Sequence, residues 1–179
     1  MAFDFLVPVK DKVLAHSELL PEQALGKNVH MHTEKDGLPV FAQADVAIFG
    51  VLESRNAFEK KPEKLDLDEV RIQLYRLMMG NWNSTIIDIG DVEEGNTVED
   101  TYFVVKEIVA GLLEENIIPI VLGLTQDITF PTYRAFDKIK KYGIEIKTYP
   151  ETFTKAKHGF KIGAMCIGFW TEDTCDHEL

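Results

Sequence analysis

The stretch IIPIVLGLTQDITFPTY (residues 117–133) decides the architecture. Its opening run, IIPIVLG, is apolar, of strand length, rich in β-branched residues, and ends at Gly123. An amide and a carboxylate, Gln126 and Asp127, follow, and helical spacing begins after them. Pro131 belongs in the first turn of that helix, because deeper inside it would cost about 3 kcal/mol. In an open α/β sheet, ligands bind at the carboxyl ends of the strands, so Gln126 and Asp127 are the first candidate site residues.

Working outward, the same rhythm recurs. ADVAIFGV (44–51) reads as a buried strand followed by the polar loop LESRNAFEKKPEK. LDLDEVRIQLYRLMMG (65–80) predicts a helix, with Leu67, Val70, Leu74 and Leu77 at 3–4 spacing and Gly80 as its stop. STIIDIGD (84–91) is a second strand. NTVEDTYFVVKEIVAGLLEENI predicts a helix capped by Asn96 or Thr97, with Glu99 and Asp100 in its first turn. Val98, Tyr102, Val105, Val109 and Leu112 form its apolar stripe. Alternating strands and helices at this spacing mean βαβ units, a mostly parallel sheet and right-handed crossovers.

The two ends are less regular. Residues 1–43 read as irregular, with LLPEQALG as a short helix ending at Gly26 and KNVHMHTE as an extended segment. Past residue 143 the rhythm frays: IEIKTYP and FKIGAMCIGFW are candidate strands, and TEDTCDHEL reads as a disordered end. The domain division is therefore 1–143 for an α/β domain and 144–179 for a divergent tail.

Composition narrows the classes. The chain has 179 residues, 45% hydrophobic and 27% charged, as in an ordinary globular domain. A net charge of −11, concentrated before residue 138, argues against a phosphate-backbone binder. Lys60, Lys61 and Lys64 form a solvated loop without interleaved aromatics, not a nucleic-acid patch. No apolar run approaches a membrane span. MAFDFLVPVKDK lacks the basic leader and long apolar stretch of a signal peptide, so the expectation is a cytoplasmic chain. Cys166 and Cys175 have no zinc spacing and read as reduced thiols.

Each chemical motif has a plainer reading beside it. No G-x-G-x-x-G, P-loop or G-x-S-x-G is present. His30 and His32 share one side of an extended segment and could bind a metal, but solvated or capping roles suit them better without a third ligand nearby. In IIDIGDVEEGN, Asp91 ends a strand as a ligand-orienting carboxylate or a loop cap, and Asp88 is assigned to the sheet surface. Trp82, in GNWN, either meets a partner or packs beneath its loop, with burial favoured. Asp127 is a metal ligand or, as its place before ITFPTYRAF suits, the cap of the next helix; Gln126 is a weak neutral ligand.

The ordered series GNWN, DIGD after a strand, GNTVEDTYF opening the next helix, and IIPIVLGLTQDIT resembles the amino-terminal half of the ureohydrolases: arginases, agmatinases and formimidoylglutamases. It is most similar to the formimidoylglutamase-like branch, over residues 1 to about 137. The resemblance implies a three-layer α/β/α fold, incomplete relative to arginase. It also implies a manganese pair whose bridging hydroxide attacks an amidine or guanidino carbon. Gln126 falls where the family's first ligand histidine stands, in a Gly-Gly-Asp-His-Ser stretch, and Asp127 where the serine stands. The later Asp-Ala-His-x-Asp and Asp-x-Asp-x-x-Asp-Pro stretches are absent from 138–179. The expectation is thus a truncated member, with a small amidine or guanidino substrate, inactive as this chain alone. A non-catalytic α/β binding or interaction module is the alternative. An incomplete parallel sheet also leaves an edge exposed, which predicts self-association.

Overall fold

The computed structural model describes residues 2–56, 66–81, 83–138 and 165–167. The loop lysines, Trp82, Cys175, the IEIKTYP strand and the TEDTCDHEL end all lie outside the described residues.

Three parallel strands make the centre: β3 (Val46–Val51), β4 (Ile86–Val92) and β5 (Ile118–Gly123), with β3 in the middle. β6 (Met165–Ile167) adds in parallel beyond β5 and contains Cys166. On the far side of β4 lie β1 (Leu6–Val7), antiparallel, and β2 (His30–Met31), parallel. The architecture is α/β with a mostly parallel sheet, as the strand–helix rhythm requires.

Period-two alternation along β3 sends side chains into two cores. Ala47, Phe49 and Val51 join a cluster with Val105, Ile108 and Leu112 of α4 (Val98–Glu114) and Ala135 of α5 (Thr129–Lys138). Ile48 instead joins Leu67 and Tyr75 of α3 (Leu67–Tyr75) and Val13 of α1 (Asp11–Glu18). Helices thus cover both faces.

The best-formed helix start is that of α4. The Thr97 hydroxyl accepts from the Asp100 amide at 3.2 Å, and the Asp100 carboxylate accepts from the Thr97 amide at 2.9 Å. This reciprocal box satisfies two otherwise orphaned donors. It selects Thr97 over Asn96, and Pro131 lies in the first turn of α5 as expected.

Three expectations are corrected. Residues 1–43 are not irregular: α1 forms there, burying Val13 and Ser17, with too few apolar positions to show in the sequence. The short helix of LLPEQALG is α2 (Leu25–Asn28), with Gly26 inside it rather than at its stop. The helix expected to run to Gly80 ends at Tyr75. Leu77 and Met78 beyond it are 58% and 64% exposed, because the chain there turns to bond the α2 segment.

Candidate functional site

Two polar clusters flank the sheet. The first is buried and centres on DIGD. Between Ile48 and Gly50, the pairing of β3 with β4 slips from Asp88 to Asp91, so Ile89 and Gly90 face Phe49 alone. This bulge puts Asp88 and Asp91, three positions apart, on the same side of the sheet. Gly90 takes φ +89°, and a Cβ there would lie 1.9 Å from the Val7 carbonyl oxygen.

Arg71 of α3 reaches into this pair. Its Nε donates to Asp88 Oδ2 at 2.7 Å, and Nη2 donates to Asp88 Oδ1 at 3.2 Å and to the Gly90 carbonyl at 3.0 Å. Nη1 lies 2.7 Å from Asp91 Oδ1, a close ion pair without the alignment of a hydrogen bond. The Tyr75 hydroxyl donates to Asp88 Oδ2. Burial pulls the Arg71 guanidinium down, but Asp88 and Asp91 outweigh it and hold it above its ordinary value. Burial pushes Asp91 up, against the pull of Arg71, and pushes Tyr75 well up. Asp88 therefore does not belong to the sheet surface: it is fully buried, because the Arg71 guanidinium enters from α3 to match it. Asp91 shares that role, with Gly50 leaving the room; a Cβ at Gly50 would lie 2.0 Å from Asp91 Oδ1.

The histidines separate. His32 is buried with Nδ1 3.1 Å from the Ile89 carbonyl oxygen, whereas His30 is exposed. They do not form a shared ligand pair.

The second cluster stands at the carboxyl ends of β3 and β5 and the start of α4. Glu53, fully buried, accepts from Arg55 Nε and from the Arg55 amide at 2.9 Å each, and from the Thr101 hydroxyl at 2.9 Å. Arg55 Nη2 closes a second contact at 2.5 Å. Bonds from Arg55, against the opposing effect of burial, hold the Glu53 carboxyl down at about 2. Beside it, Asn56 donates to the Tyr102 hydroxyl at 3.0 Å, and that hydroxyl donates to Asp127 Oδ2. Burial, then the Asp127 carboxylate, pushes the Tyr102 phenol up to about 12. Asp127 Oδ1 is buried and has no hydrogen-bond partner among the described residues.

Of the two candidates on IIPIVLGLTQDIT, Gln126 is exposed and Asp127 half-buried, at a 3-10 turn (Gln126–Ile128). The turn opens at Thr125 with no side-chain cap, and Asp127 is engaged by Tyr102. Tyr102 was legible only as part of an apolar stripe, and Glu53 not at all. The signal that could have found both is their place at a strand end and a helix start.

The donor set here does not fit a manganese pair. Asp127 already accepts a phenol, Gln126 offers only a neutral amide, and the Glu53 carboxylate is taken up by Arg55 and Thr101. Among the described residues, no three His, Cys, Asp or Glu side chains gather where they could hold a metal ion.

No family model matches the sequence, and no curated protein sequence matches it. Solved structures do. The agmatine ureohydrolase of Thermoplasma volcanium superposes with a TM-score of 0.50 and 21% identity, covering 66% of this chain and 40% of that one. The fold is ureohydrolase-like. An arginase superfamily protein from Trypanosoma cruzi matches at a TM-score of 0.47 and 21% identity, over 56% of this chain and 40% of that one. The chain thus spans about 40% of the length of the solved ureohydrolase-like structures it matches. No helix among the described residues is long and apolar enough to cross a membrane.

Proposed function

We propose that this chain is a ureohydrolase-derived α/β domain, of the formimidoylglutamase-like branch and cytoplasmic, that does not hydrolyse an amidine or guanidino C–N bond by itself. The observation that carries the reading is Asp127. At the end of β5 its carboxylate is taken up by Tyr102, beside an exposed Gln126, with no third donor among the described residues to complete a manganese site. Hydrolysis by a metal-bound hydroxide needs ligands that another segment or another chain must supply.

The test loads the full chain with manganese and measures bound metal by elemental analysis. Turnover of agmatine, arginine and formimidoylglutamate is followed in parallel, with Asp127→Ala as control. Expected is no stoichiometric manganese and no turnover. Stoichiometric metal that disappears in the variant, with turnover, overturns the reading.

A binding role is the second reading, favoured by the unpartnered Asp127 Oδ1. A buried carboxylate oxygen without a donor is costly, and a small amidinium or guanidinium ligand supplies both donor and charge. Calorimetric titration with agmatine in the absence of metal tests it; no heat of binding sinks it.

The same partial sheet favours self-association. Among the described residues β6 stands last in the strand order, and a parallel edge left unpaired recruits further strands. Sedimentation over a range of concentrations should show reversible dimers or larger species; a monomer at every concentration counts against this.

A further inference from the structure

A hollow of about 460 Å³, largely open to solvent, lies in the layer of α1, α2 and β2. That is within the range of small-molecule sites. Its floor is apolar: Leu14, Val29 and Met31, of which Leu14 and Met31 are half-exposed. Its rim carries both signs of charge, with Lys27 and Lys35 against Glu18 and Asp36. Asp36 is already used, accepting the Thr33 hydroxyl at 3.1 Å and closing the 33–37 turn. Lys27, Lys35 and Glu18 are all exposed and form no ion pair among the described residues. Ser17 also lines the hollow, 6% exposed, with its hydroxyl unpartnered among the described residues.

We propose that this cavity binds a small zwitterion with an apolar side chain, an amino-acid-like molecule. The side chain covers Leu14, Val29 and Met31, the carboxylate lies toward Lys27 and Lys35, and the ammonium faces Glu18. Lys27 and Lys35 both line the hollow, are unpaired among the described residues, and can each meet a carboxylate. The nearby carboxylates disfavour an anion that lacks a balancing positive charge. The apolar floor gives the affinity, and the mixed rim gives the selection.

The test is an amide NMR titration of the full chain with three matched probes: L-leucine, 4-methylpentanoate, which lacks the amine, and 3-methylbutylamine, which lacks the carboxylate. Leucine should perturb amides across residues 26–36 and bind roughly tenfold more tightly than either fragment. Lys27→Glu combined with Lys35→Glu, both surface changes, should weaken leucine roughly tenfold. Asp127→Ala should leave it unchanged, which separates this site from the strand-end cluster. Equal binding of 4-methylpentanoate, no perturbation of 26–36, or an unaffected double variant each overturns the proposal.

Discussion

The two polar clusters use nearly the same parts, carboxylates with an arginine and a tyrosine, and differ in closure. Around Arg71 the guanidinium is fully buried, faces two carboxylates, and takes a backbone carbonyl as well. At the strand ends, Arg55 is 34% exposed on its side chain, and Asp127 keeps one oxygen without a donor. A closed network of this kind holds two layers in register. An open one has capacity to spare, and that is where ligands act.

The sharpest way to break the contrast is to remove the buried cation. Arg71→Met should cost about 3–5 kcal/mol, because it strands two carboxylates in the interior. Urea denaturation measures this, and a loss under about 1 kcal/mol would mean that water reaches the site. Gly50→Ala comes next. Its methyl displaces the Asp91 carboxylate, for about 1–3 kcal/mol by the same measurement.

The open cluster should respond to pH instead. Glu53 titrates at about 2 when folded, below its ordinary value of 4.5. Its contribution is therefore complete above pH 4.5 and is lost as pH falls from there toward 2. Screening at the exposed Arg55 reduces it to about 1–2 kcal/mol. The wild type should lose that much more stability than Glu53→Gln when taken through this window. The smallest effect belongs to Asp127→Ala, within about 0.5 kcal/mol, since a half-satisfied carboxylate contributes little to the fold. A large loss there would move Asp127 into the closed class.

What was legible in the sequence follows the same division. β3, β4, β5 and α4 could be read because their burial is apolar and periodic, and the Thr97 cap is a local signal. Arg71 and Tyr75 could not be: they follow Leu67 at i+4 and i+8 on the buried side of α3, but a charged residue in that row hides it behind the half-buried apolar row of Val70 and Leu74. Periodicity registers apolar stripes and is blind to a buried charge. Asp88 was misplaced for the same reason, although a glycine inside a strand, as in DIGD, is a bulge signal that could have been used. At the strand ends, position made Asp127 a candidate. Its partner Tyr102 comes from a distant helix, and no local pattern joins the two.

The bulge at Gly90 also bears on how β4 tolerates changes in length. Ile87 and Ile89 before it and Val92 after it all join the core beneath α4, while Asp88 and Asp91 share the opposite side. The strand is a two-letter text with one silent letter. Removing that letter leaves every other one on its own side, with Ile89 and Val92 in the core and Asp91 toward Arg71. Reading it aloud, by forcing Gly90 into the regular pleat, would turn Asp91 toward the apolar layer and Val92 toward Arg71. In this strand a loss of length at Gly90 should harm less than a substitution there, whose side chain would meet the Val7 carbonyl.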